Sequence, residues 1–180
     1  MKYTLDSEET NRLQFRLVNI SNFDSWLDFF KDSSSFVHWV GERKSSEVEC
    51  TEWYQKQFGR YEADLGGMNA LIEKSTGKLV GYAGLLVQYV DDTEELEIAY
   101  SLLPSYRNKG YATEAARKCM DYAFENNFTD SLVSIISVTN IPSANVASKN
   151  GMRIAKQTTY KENRVNIFQI EKGDWIAGKP

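Results

Sequence analysis

Polar and apolar residues alternate through Arg12, Leu13, Gln14, Phe15, Arg16 and Leu17, which predicts a first strand with Leu13, Phe15 and Leu17 on one face. Ser21 or Asn22 can cap a short helix through Phe30, with Trp26, Phe29 and Phe30 at core spacing. Ser46 followed by Glu49 resembles a capping box, and Tyr54, Phe58, Tyr61 and Leu65 repeat at helical spacing. A helix over residues 46–65 follows, ended by Gly66 and Gly67. Residues 69–73, a turn at 74–77 and residues 79–87 read as a hairpin.

Asp91, Asp92 and Thr93 lead into a strand over 94–103. That strand stops at Pro104, and a loop with Arg107, Lys109 and Gly110 precedes a helix from Ala112. The helix carries Ala115, Ala116, Cys119, Met120, Ala123 and Phe124 on one stripe and ends at Asn126 and Asn127. Residues 131–138 are a short apolar strand, so strand, helix and strand imply a right-handed crossover and a parallel pair. Pro142 breaks this strand, residues 143–150 form a short helix stopped by Gly151, and residues 152–160 and 165–170 make a last hairpin turning near Glu162 and Asn163. Residues 172–180 read as a loose tail.

The strand, basic glycine loop and helix start form an anion site in principle. The first amides of a helix lack intrahelical partners and lie at the positive end of its dipole. The glycines at 81 and 84 fall inside a strand, with no Gly-Lys-Ser or Gly-Lys-Thr after them, so they are not read as a nucleotide loop.

Composition narrows the classes. At 180 residues the chain fits one domain, residues 1–180, with a core over about 11–171. Hydrophobic residues at 42% and charged residues at 26% suggest neither disorder nor a membrane protein. No apolar run approaches the ~20 residues of a membrane span, and the polar, acidic start is unlike a leader, so a cytoplasmic protein with no membrane partner is expected. A net charge of -4 and a pI near 5.2 argue against nucleic acid. Two cysteines, Cys50 and Cys119, both read as buried helix residues, and one histidine, His38, are too few for a zinc cluster, and no metal is expected. The apolar island at residues 36–40 can line a substrate pocket or form a buried loop; His38 has no evident partner and is not read as catalytic.

The run Arg107-Asn108-Lys109-Gly110-Tyr111-Ala112, after a strand ending in Leu102-Leu103-Pro104, resembles the acetyl-CoA signature of the GCN5-related N-acetyltransferases (GNAT). Asn140 and Ser143, with Asn150-Gly151-Met152 behind them, resemble a segment of the ribosomal-protein N-terminal acetyltransferase (RimJ/RimL-like) branch. Departures are modest: Asn108 stands where glycine is common, Ala99 where the branch often has glycine, and Met152 where phenylalanine is usual.

The resemblance covers roughly residues 11–171 and implies an α/β (mixed α+β) fold with a bent mixed central sheet of about six or seven strands and helices on both faces. It also implies acetyl transfer from acetyl-CoA, a cosubstrate, to a primary amine, either a protein N-terminus or a small molecule. Backbone from Arg107, Asn108, Lys109, Gly110, Tyr111, Ala112 and Thr113 would wrap the pyrophosphate. Groups near Ser101, Leu102 and Leu103 would bind the pantetheine arm from one side, with Asn140 on the other. Glu97 is the candidate base, and Ser143 the candidate donor to the departing thiol. The acidic run Asp91, Asp92, Glu94 and Glu95 can attract a cationic acceptor or simply face solvent. A catalytically silent acyl-CoA-binding module and another nucleotide-binding protein are the alternatives, and the chain can act as a monomer or a homodimer.

Overall fold

The Asp91-Asp92 turn sets the register of the central hairpin. Both residues have positive φ, 47° and 62°, the two-residue turn whose twist matches right-handed strands, and Val90 faces Thr93 across it. It joins β3 (Leu79–Val90) to β4 (Thr93–Leu102) in a computed structural model that describes residues 2–178. The other elements are β1 (Leu13–Leu17), α1 (Phe23–Lys31), α2 (Ser46–Glu62), β2 (Gly66–Glu73), α3 (Tyr111–Glu125), β5 (Ser131–Ser137), α4 (Ile141–Lys149), β6 (Arg153–Tyr160), β7 (Asn163–Glu171) and α5 (Lys172–Ala177).

Seven strands form one open mixed sheet in the order β1-β2-β3-β4-β5-β7-β6, antiparallel throughout except for β4 and β5. On one face α3 packs Ala115, Ala116, Cys119, Met120 and Phe124 against Phe15, Leu85 and Ile98. On the other, α1 and α2 pack Trp26, Phe29, Phe30 and Tyr54 against Ala70, Tyr82 and Leu86. This is the mixed α/β architecture with helices on both faces that the resemblance implied. Gly81 serves the sheet: at φ +156° a Cβ there would lie 2.2 Å from the Ser101 carbonyl oxygen.

Several boundaries differ from the sequence reading. The cap of α2 is Ser45, whose hydroxyl accepts from the Val48 amide, while Glu49 binds the Lys44 amide and Arg43. The helix ends at Glu62 rather than at 65. Asp64, at φ +54°, takes the left-handed position, and Leu65 N donates to Arg60 O, closing the helix without glycine. Gly66 and Gly67 therefore open β2. α4 starts at Ile141, two residues before the expected Ser143, because Asn140 Oδ1 accepts from the Ser143 amide at 3.1 Å. The expected loose tail is the helix α5 as far as Ala177, held by buried Trp175, whose indole N–H donates to Asp121 at 2.7 Å. Residues 179 and 180 of that tail lie outside the described residues.

Candidate active site

The sheet opens where its one parallel pair should be. β4 and β5 share a single register pair, Glu97 with Val133, after which β4 follows β3 and β5 follows β7. The Ile98 carbonyl, which faces β5, accepts from the Ser134 hydroxyl at 2.8 Å. By the alternation of a strand, the next backbone groups turned that way belong to Tyr100 and Leu102. Ser101 turns its own backbone toward β3, where its partner is Tyr82. A cavity of about 850 Å³ fills the split.

One part of its lining is made by the loop before α3. Asn108 and Gly110 are left-handed, at φ 60° and 83°, and the first bond of the helix runs from Glu114 N to Gly110 O. Among the described residues the six successive amides of residues 108–113 have no backbone or side-chain acceptor. A phosphorylated ligand fits such a row of donors at a helix start.

Arg107, whose amide was expected to join this row, is otherwise engaged: that amide donates to Pro104 O at 3.3 Å. Its guanidinium donates to Leu102 O (3.2 Å), Asp32 (2.8 Å), Ser34 (2.9 Å) and Ser35 (2.6 Å). The Ser34 hydroxyl, with Arg107 and Ser35, holds the Asp32 carboxyl down to about 2. Arg107 thus fastens the segment after α1 to the end of β4.

The other part of the lining centres on Glu97. It is buried, 9% exposed, and accepts a 2.7 Å bond from Gln88 Nε2, while Tyr160 donates to Gln88 Oε1 at 2.9 Å. Burial pushes the Glu97 carboxyl above the ordinary glutamate range, against the pull of the Gln88 bond, the Ile135 backbone and the Arg60 and Lys161 charges. Tyr100 donates to the Ser143 carbonyl at 2.9 Å and ties β4 to the start of α4; burial raises its own pKa.

The loop after α1 crosses to the far side. His38 Nδ1 meets Thr139 Oγ1 at 2.9 Å, and Asn163 Nδ2 donates to His38 O at 2.9 Å. His38, Trp39 and Val40 line the cavity, Trp39 at 60% exposure, while Phe36 is buried in the core beside Phe29 and Phe30, so the island at residues 36–40 divides between pocket lining and core. Among the described residues no group of three or more His, Cys, Asp or Glu could hold a metal ion, and no helix is long and apolar enough to cross a membrane.

The family model described as "Acetyltransferase (GNAT) domain" matches residues 12–153. The chain belongs to the GNAT acetyltransferases. GNAT enzymes use acetyl-CoA. Among curated relatives, "Uncharacterized protein YkkB" of Bacillus subtilis (strain 168) is 29% identical over 141 residues, 78% of this chain and 80% of that one. From the same organism, "Uncharacterized N-acetyltransferase YnaD" is 26% identical over 144 residues, 80% and 81%. In fold the chain is similar to RimL, a "Ribosomal L7/L12 alpha-N-protein acetyltransferase" solved in complex with coenzyme A, with a TM-score of 0.73 at 14% identity over 92% of this chain and 97% of that one.

In this GNAT chain Glu97, Ser101, Leu102, Arg107, Asn108, Gly110, Ala112, Thr113, Asn140 and Ser143 all line the one cavity. Leu103, Lys109 and Tyr111 do not. Leu103 packs against the α1 and α2 face, Lys109 sits over the Tyr106 ring, and Tyr111 is buried beneath the Arg12 guanidinium with its hydroxyl on Glu73. Sequence reasoning missed Gln88, Tyr160, Lys56 and Lys161. For Gln88 a signal existed, because the two-residue turn pairs it with Glu95 and so sets it diagonal to Glu97.

Proposed function

We propose that this acetyltransferase moves the acetyl group of acetyl-CoA to the nitrogen of a primary amine. One observation carries the reading: a single cavity is lined both by Asn108, Gly110, Ala112 and Thr113, from a loop and helix start whose amides are unpaired among the described residues, and by a buried carboxylate whose proton affinity is raised. The thioester supplies the activated acyl carbon. The amides of residues 108–113 bind the pyrophosphate, and the cleft-facing backbone of Tyr100 and Leu102 orients the acyl arm and its carbonyl. Asn140, its Oδ1 committed to the Ser143 amide, offers its amide nitrogen to the same arm.

An amine attacks only when neutral, so its proton needs an acceptor. Glu97 takes that proton at a carboxylate oxygen, with Gln88 fixing the carboxylate plane and Tyr160 fixing Gln88. A raised pKa makes the ionised Glu97 a stronger base than an exposed glutamate. The Ser143 hydroxyl, which has no hydrogen-bond partner among the described residues, supplies a proton to the departing sulfur. The N-acetyltransferase name of the YnaD relative supports nitrogen as the acceptor atom, and the coenzyme A complex of RimL supports coenzyme A as the carrier. The RimL likeness further supports placement near the ribosomal-protein branch.

The test is an amine and peptide screen that reads free CoA. Acetyl transfer releases CoA with at least one amine, and Glu97→Gln lowers the rate roughly 10²- to 10⁴-fold. A chain that binds CoA yet releases none with any amine, and for which Glu97→Gln changes nothing, contradicts the reading. So does heat protection by ATP or NAD equal to that by CoA.

A further inference from the structure

The charges around Glu97 say which amine suits the cavity. Glu97 is the single acidic residue in its described lining, which also carries Lys56, Arg107, Lys149 and Lys161. Arg107 is neutralised by Asp32, but Lys56 on α2 and Lys161 in the β6–β7 turn have no carboxylate partner among the described residues. Lys161 rests over the Tyr160 ring at 4.8 Å, beside the Gln88 and Glu97 network. The surrounding protein and the Lys161 and Arg60 charges lower the proton affinity of Lys56, with the Glu97 charge opposing them.

The acidic run at residues 91–95 lies outside this cavity, although Asp91 and Asp92 line a shallower neighbouring pocket with Gln88, Tyr160 and Lys161. Asp91 is bound to Lys156 (2.8 Å) and Thr158 (2.9 Å), Glu94 accepts from Tyr89 (2.6 Å), and none of the run lines the cavity. Access is also narrowed. The segment at residues 36–40 is fastened across the split by the His38 bonds to Thr139 and Asn163.

We infer that the acceptor is a small amine bearing a carboxylate, of the amino-acid class, held with its nitrogen at Glu97 and its carboxylate at Lys56 and Lys161. This rests on the amine-acetylation reading above and narrows its substrate. A polyamine or polycationic antibiotic meets like charge in this cavity, and an extended peptide meets the His38 strap.

The experiment compares free amino acids with their decarboxylated amines, with C-terminally amidated tripeptides and with a polyamine, reading CoA release for each. The carboxylate-bearing acceptors are preferred at least about tenfold in kcat/KM, and Lys56→Met and Lys161→Met each shrink that preference several-fold through KM, as loss of uniform binding does. Lys161→Arg retains it. Decarboxylated amines, amidated peptides or polyamines used as well as or better than amino acids overturn the inference while leaving acetyl transfer intact. CoA release with none of them, while CoA still binds, overturns the acetyl-transfer reading and this inference with it.

Discussion

The two halves of the cavity are built from different material. On the reading proposed above the cofactor half is backbone: residues 108–113 present consecutive amides from one loop and one helix start, and Tyr100 and Leu102 present the edge of one strand. The half proposed for the acceptor is side chain: Glu97, Gln88, Tyr160, Lys56, Lys161 and His38 come from β4, β3, β6, α2, a turn and a loop. A backbone site needs only local conformation, so it persists through wide change in side chains. A side-chain site needs the whole fold to bring its parts together, and each part can change alone. The first half can therefore serve one carrier while the second sets the acceptor.

Mutations separate the halves, in descending order of effect. Gly110→Glu strikes the backbone half. At φ +83° any side chain is strained by about 1–2 kcal/mol, and the carboxylate lies at the anion site. CoA affinity by calorimetry falls by about 100-fold or more, some 2.7 kcal/mol, with the circular dichroism spectrum unchanged. Unaltered affinity removes residues 108–113 from the cofactor site.

Arg107→Ala tests whether that half depends on its clamp. Loss of the bonds to Asp32, Ser34 and Ser35 lowers stability by about 1–2 kcal/mol in urea and weakens CoA several-fold through a loosened loop. The same clamp gives a pH signature. Asp32 has its pKa lowered from 3.8 to about 2, so its contribution is complete above its unfolded value, near 4, and is lost as pH falls through about 2. In Arg107→Ala the acid unfolding midpoint moves to higher pH.

Tyr160→Phe gives the smallest effect and sharpens the acceptor half. Gln88 loses its fixed orientation, kcat falls about threefold and the Glu97 limb of the pH profile shifts, while CoA affinity holds. A fall in CoA affinity instead would mean that the halves are not separate.

The same division explains what could be read in advance. Every strand of the sheet is visible as alternation or an apolar run bounded by turn residues, and so is the strand, glycine loop and helix start proposed to hold the cofactor, because the three are contiguous in sequence. The Arg107 cation read as part of a basic loop suited to an anion because Asp32, 75 residues away in sequence, gives no local sign that it will claim the guanidinium. Gly66 and Gly67 looked like helix stops because glycine is the usual residue at the left-handed closing position that Asp64 holds here. Tyr160 and Lys161 reach Glu97 only through the β4-β5-β7-β6 order and the narrow split between β4 and β5, which no single segment encodes. Trp175, in what read as a loose tail, had no periodic partner in its six-residue helix to mark it as buried.

Whether Glu97 accepts the proton of the attacking amine is decided by the pH profile of kcat at saturating acetyl-CoA and amine. The expected profile has an acid limb above the ordinary glutamate value of about 4.3, absent in Glu97→Gln, whose CoA affinity equals that of the wild type. The same limb and the same plateau rate in Glu97→Gln would contradict that role.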